Sequence, residues 1–240
     1  MTGSKQTFTI YAISEKAVTI EFGHEIDETI LQQISRFNNL VNQNPFHGFY
    51  TTVPAYTTLT IFYDPVRVIS SGLPGADCFE KVFAYLTSLK SKKDSSATMA
   101  DNTITIPVCY GGEFGSDLQE VADLHNLTIE KVIELHSAAT YKVYMIGFVP
   151  GFAYLGGMPE ILATPRKPTP RRKVQPGSVG IAGRQTGIYP LQTPGGWQLI
   201  GRTPLQLFNA NRLQPSLLKA GDNVVFKPID IQEYNCLLHK

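Results

Sequence analysis

A chain of 240 residues with 42% apolar and 17% charged side chains can bury one large core or two small ones, which excludes a disordered or low-complexity polymer. No apolar run reaches the roughly eighteen residues needed to span a bilayer, and the N-terminus MTGSKQTFTIYAI lacks the parts of a secretory signal, so a cytoplasmic protein is expected. The formal charge is only +1, yet from Ile161 to Gly221 there is no acid: nine lysines and arginines stand among sixteen glycines and prolines, giving +9 there and −8 elsewhere. So one-sided a potential favours an anionic ligand or an acidic partner surface.

In chain order, Phe8 to Ile13 and Ala17 to Phe22 are β-prone runs joined by a hairpin-sized Ser14-Glu15-Lys16. Ile26, Ile30, Ile34, Phe37 and Val41 recur at three- and four-residue steps and predict a helix over 26–41. A second strand pair, Phe49 to Val53 and Thr57 to Tyr63, precedes a second amphipathic helix over Ala76 to Leu89. Polar, aperiodic SKKDSSATMADN at 91–102 reads as a linker between domains at 1–100 and 101–240. Beyond it come a strand TITIPVCY, helices at Leu118 to His125 and from an N-cap at Thr128 to about His136, then a β-rich remainder. Its short apolar runs KVYMIGFV, SVGIAG, WQLIG and NVVFKPI, parted by Gly and Pro, predict a small antiparallel barrel or sandwich.

Familiar catalytic signatures are missing: no GxxxxGK[ST], no GxSxG, no HExxH and no GxGxxG after a strand. No pattern of metal ligands appears, and Cys78, Cys109 and Cys236 are read as reduced and mostly buried. Among the histidines, His136 is balanced between acid-base work and a structural role, and His125 leans structural. Glu113 and Asp117 flank a glycine-rich turn that brings two carboxylates close together, although Asp117 is equally placed to cap the helix at Leu118. Phe148, Phe152 and Tyr154 in GFVPGFAYLGG form an aromatic wall or a packed barrel corner. Gln185, Thr186, Tyr189, Gln192 and Trp197, set among turn residues, read as a ligand floor; nucleic acid is disfavoured because aromatic and basic residues do not alternate.

The succession IPVCYGGEFGSDL, LHNLTIEKVIELH, GFVPGFAYLGG and TPRKPTPRRKVQPGSVGIAGRQTGIYPLQTPGGWQLIGRTP closely resembles the family of the bacterial 5-oxoprolinase B subunit, which also holds the kinase inhibitor KipI. That family is related to the carboxyltransferase region of urea carboxylase, once labelled allophanate hydrolase subunit 1. The resemblance implies an α+β chain, a ferredoxin-like N-terminal domain followed by a cyclophilin-like antiparallel β-barrel. It implies one part of a hydrolase, incomplete alone, that works with a C subunit of similar barrel type and an A subunit to open 5-oxoproline to glutamate with ATP. The rivals are KipI-like binding to a sensor histidine kinase and a carboxyl-transfer role. Carried over by position, it marks Glu113, Asp117, His136, Arg166, Arg171, Gln185, Thr186, Tyr189 and Trp197. Asp117, His136 and Glu113 are then expected to move protons, and the arginines to hold a small anionic substrate. Amides at Gly195 and Gly196 are expected to stabilise an oxyanion. GSD at 115–117 replaces the family's usual GPD, and VQPGS at 174–178 its usual VPxGS; neither removes a charged group.

Overall fold

The computed structural model describes residues 8–25, 27–90 and 102–238. The predicted helix start at Ile26 and all of the predicted linker but Asn102 lie outside them. Two compact units are present, one ending at Met99 and the other beginning at Ala100.

In the first unit, β1 (Thr9–Ser14) and β2 (Ala17–Glu21) form a hairpin and α1 (Glu28–Gln43) follows. Asp27 caps α1 by accepting from the amides of Thr29 and Ile30, and a hydrogen bond from the Thr29 hydroxyl, then that of its amide, draws the carboxyl below the ordinary range. After β3 (Phe49–Pro54) and β4 (Thr58–Tyr63) comes a one-turn helix the periodicity misses, α2 (Pro65–Ile69), with Asp64 as cap and proline at its first position. Helix α3 (Cys78–Lys90) completes the unit. The sheet order is β1-β2-β4-β3 and every pair is antiparallel. Strands β2 and β3, joined by α1, therefore run parallel with β4 between them, the split β-α-β of a ferredoxin-like sandwich entered one strand early. Val18, Ile20, Leu59 and Ile61 pack with Ile34, Val41, Val82 and Leu86 in its core.

The second unit contains β5 (Thr103–Tyr110), α4 (Leu118–Leu124), α5 (Ile129–Ala138), β6 (Thr140–Ile146) and β7 (Ala153–Gly156). Six further strands follow: β8 (Arg171–Val174), β9 (Ser178–Ala182), β10 (Gln185–Ile188), β11 (Thr193–Gly195), β12 (Gln198–Arg202) and β13 (Asn223–Pro228). A last helix, α6 (Ile231–Leu238), stands where the sequence reading expects β structure. Its Tyr234 stacks on Phe114 with ring centroids 4.5 Å apart. Seven strands close a barrel in the order β10-β7-β6-β13-β5-β12-β9, antiparallel except where β13 runs beside β5, while β8 and β11 form a separate ribbon. Asn102 belongs to this unit, its carbonyl accepting from Asn223 at the start of β13. This is the α+β architecture with a cyclophilin-like barrel that the resemblance implies.

Inside the barrel lie Ile106, Val108, Tyr141, Val143, Leu155, Val179, Ile181, Ile188, Ile200 and Val224. Strand β9 is buried along its whole length, and therefore on both faces, which explains why SVGIA shows no alternation in sequence. Of the three cysteines only Cys109 is buried; Cys78 is half-buried and Cys236 exposed, which corrects the expectation of mostly buried thiols. Among the described residues no helix is long and apolar enough to cross a membrane.

Candidate functional site

A second aromatic cluster lies on the outer wall of the barrel. Gly180 and Gly187 face each other across the β9–β10 hairpin, and two missing side chains on one face leave a trough. Trp197 and Phe152 fill it: a Cβ on Gly187 would meet the Trp197 ring and the Ala153 carbonyl at 2.9 Å, and one on Gly180 would meet Trp197 Cβ at 3.1 Å. Gly187→Ala is accordingly expected to destabilise the barrel by about 1–3 kcal/mol, read as a lowered denaturation midpoint. Phe152 is the hub, edge-on to Tyr189 at 5.2 Å and Trp197 at 5.4 Å and tilted against Tyr154 at 4.8 Å. The Tyr189 hydroxyl accepts from the Trp197 amide and lies where a Cβ on Gly195 would fall, so residue 195 must be glycine. Burial pushes the Tyr189 and Tyr154 phenols up, and the positive charge of Arg166 opposes the shift in both.

Over this wall the β8–β11 ribbon is fastened by one carboxylate. Asp117 occupies the N-cap position of α4 but makes no side-chain cap bond. Instead its Oδ2 accepts from the Leu199 amide at 2.6 Å, and its Oδ1 takes Arg171 Nη2 at 2.5 Å and Lys167 Nζ at 3.1 Å. Arg171 also donates to the Trp197 carbonyl and to Ser116 Oγ. Lys167 bonds Glu120 as well, and the hydrogen bonds it donates to Glu120 and then Asp117 hold its ammonium above the ordinary range. Its amide ties the strap at 165–167 to the Gly196 carbonyl at 2.7 Å. The capping role expected for Asp117 thus gives way to a junction of α4, β8 and β12 in which both carboxylate oxygens are engaged.

Arg166, Arg171, Tyr189, Gly195, Gly196 and Trp197 are brought together with Tyr154 and Asp117, but the remaining candidates are not. Glu113 is exposed, and its charge is felt at Cys109 and Tyr234 beside α6; among the described residues no hydrogen bond joins it to Asp117. Thr186 and His136 lie inside the barrel, so neither faces the outer wall. Gln185 opens β10 opposite Ala182, on the outer face with Gly187 but at the hairpin tip. The Gln185–Ile188 part of the predicted floor is thus wall, because alternation turns Thr186 inward.

His136 is wholly buried and stacks on Phe226 at 4.5 Å. Thr186 donates to the Gly180 carbonyl, so its oxygen accepts from His136 Nε2–H at 2.9 Å, and His136 Nδ1 accepts from the Tyr110 hydroxyl at 2.8 Å. Every proton in that chain is used, and desolvation holds the imidazole pKa down to about 3. A buried, neutral imidazole with both ring nitrogens engaged supports a structural role for His136. An imidazole whose folded pKa lies below its unfolded value of about 6.5 stabilises the fold fully above that value and loses the contribution as pH falls toward 3. Between pH 7 and pH 5 the barrel unit is expected to lose about 2 kcal/mol from this group, a difference that denaturation curves of His136→Gln should lack. His125 is likewise structural, with Nε2 2.9 Å from Thr164 Oγ1.

Three residues of the site escape the sequence reading. Lys167 is indistinguishable from its basic neighbours until Asp117 and Glu120 face it. Gly180 and Gly187 are equidistant from the Gly183-Arg184 tip, a symmetry that identifies the trough once the hairpin is recognised.

The chain matches the family model for the carboxyltransferase domain, subdomain C and D, over residues 8–218. It is 44% identical over 229 residues to the 5-oxoprolinase B subunit of Bacillus subtilis, covering 95% of each chain. It is 57% identical over 218 residues to the Escherichia coli protein of the same name, covering 91% of this chain and 94% of that one. The crystal structure of TTHA0988 superposes with a TM-score of 0.76 at 35% identity, covering 90% of this chain but 40% of that longer one. With a match that spans both units, this chain belongs to the carboxyltransferase subdomain C and D family, and within it to the group of 5-oxoprolinase B subunits.

Proposed function

We propose that this chain is the B subunit of an ATP-dependent 5-oxoprolinase, acting in the cytoplasm with a barrel-type C subunit and an A subunit. Near-full-length identity to two proteins named as that component carries the reading. The outer wall supplies a half-site for a small anionic lactam: Tyr154, half-buried, offers apolar surface to a flat ring, with Tyr189 and Trp197 buried behind it. Arg166 is exposed beside them and, among the described residues, pairs with no carboxylate, so it is the cation assigned to the substrate carboxylate. Arg171, already held by Asp117, instead positions the ribbon. Gly195 lies opposite Arg171 in the ribbon register.

Ring opening breaks the lactam C–N bond and adds water, which needs acid-base groups. Asp117 is engaged and His136 is neutral and buried, so this half-site binds and orients, and a partner protein supplies proton transfer. Nucleotide binding is assigned elsewhere for a similar reason: the chain has no GxxxxGK[ST] loop, and the Asp27 and Thr128 side chains take the leading amides of α1 and α5. A division of this kind leaves the chain inactive alone. Affinity capture of the tagged chain from its own cells tests the assembly. The A and C subunits are expected in the eluate, and a biotinylated carrier or a histidine kinase in their place would contradict it.

A further inference from the structure

A row of polar side chains crosses three adjacent strands of the barrel on its outer face. Val179 and Ile181 point into the barrel, so their neighbour Ser178 on β9 points out. Ser178 pairs with Arg202 on β12, and Arg202 pairs in turn with Cys109 on β5. Directly paired residues share a face, so the three side chains lie side by side. Phe114 and, from α6, Tyr234 pack over Cys109. Arg202 Cζ lies 5.0 Å from the centre of the Phe114 ring, on which Tyr234 is stacked.

Two members of this row carry buried polar atoms that bond to nothing. Ser178 is wholly buried; Gln175 and Tyr189 engage its amide and carbonyl, but its hydroxyl has no partner. Nε of Arg202, in the facing position, has none either. A buried donor left unpaired costs about 1–3 kcal/mol, and more when it is charged. Arg202 also lacks a counter-ion. The ion pairs of the acid-free run are made by Lys167, Arg171 and Arg184, and among the described residues no acid pairs with Arg202. Its own contacts are the Phe114 ring and the Tyr234 phenol, whose rise on burial it opposes. Burial first, then the charges of exposed Asp230 and Glu113, push the Cys109 thiol up, so it stays protonated and adds no negative charge to the row. A water molecule could accept from both orphaned donors but would leave the guanidinium charge uncompensated, whereas an anion meets both needs.

We propose that Ser178 and Arg202 form a binding site for a small monovalent anion, held between Ser178 Oγ and Arg202 Nε beside Phe114 and Tyr234. Paired side chains on neighbouring strands start about 4.5–5.5 Å apart, which limits the ligand to a halide or a formate-sized carboxylate. Arg202 is half-buried, so the anion exchanges with solvent past that side chain. The site does not depend on the reading of this chain as part of a 5-oxoprolinase. Thermal melts of the purified chain in sodium formate and in sodium chloride, with Ser178→Ala as the comparison, test it in solution. Wild type is expected to gain stability saturably, and the salt that saturates at lower concentration distinguishes carboxylate from halide. Ser178→Ala deletes only an unpartnered hydroxyl, so at low salt its midpoint should equal or exceed that of wild type. Its apparent anion affinity should fall about 10-fold or more, the loss of one hydrogen bond to a charged group. Crystals grown in sodium bromide supply a second measurement, with an anomalous peak expected within hydrogen-bond reach of Ser178 Oγ and Arg202 Nε. Midpoints that respond identically to salt in wild type and Ser178→Ala would overturn the proposal, and so would a water without anomalous signal at that position. A Ser178→Ala chain destabilised equally in every salt would also overturn it, by making the hydroxyl part of the fold.

Discussion

Asp117→Ala is expected to destabilise the barrel unit by about 3–5 kcal/mol, the usual consequence of removing one partner from a buried ion pair. The carboxylate is only 4% exposed and satisfies the Leu199 amide, Arg171 and Lys167 together. Without it the amide is left buried and unpaired, and two cations face each other across the ribbon with no counter-charge. Asp117→Asn keeps the shape but not the charge and is expected to lose less. Glu113→Ala, at an exposed carboxylate, should stay within about 0.5 kcal/mol of wild type. Urea denaturation of the three variants measures this contrast. Equal effects at Asp117 and Glu113 would mean that the junction contributes nothing specific.

The second large effect falls on activity. Arg166→Ala is expected to raise the KM for 5-oxoproline about 10- to 100-fold in the assembled enzyme, the range for losing hydrogen bonds to a charged group. Being exposed and outside the Asp117 junction, Arg166 should leave the melting temperature unchanged. Arg171→Ala must behave differently, because its guanidinium joins Asp117, Ser116 and the Trp197 carbonyl. It should lose stability and activity together. Steady-state kinetics paired with thermal melts separates the two arginines, and the reverse pattern would exchange their roles.

Much of the fold was legible because helical spacing is local. Ile30, Ile34, Phe37 and Val41 fix the inner face of α1, and Thr128 accepts from the Lys131 amide as its position before α5 implies. The one-turn α2 carried a readable Asp-Pro start but was too short to show a period. Barrel order is another matter: β13 lies beside β5 across more than a hundred residues, and strands of four or five residues buried on both faces show no alternation. The geometry of the site was hidden for the same reason. Asp117 looks like a helix cap from its neighbours in sequence, but its partners are at 167, 171 and 199. His136 could be ambiguous only until the Tyr110, Thr186 and Phe226 side chains surrounded it. Conversely, the acid-free run was informative at once. Within it Arg171, Lys167 and Arg184 pair with acids, whereas Arg166, Arg172 and Lys173 are exposed and pair with no acid among the described residues.

The place of this chain in the enzyme and the half-site meet in one measurement: glutamate formed from 5-oxoproline by the purified A and C subunits, with and without this chain, in the presence and absence of ATP. Glutamate is predicted only when all three proteins and ATP are present. Turnover by the A and C subunits alone, or none from the complete mixture, would contradict the account.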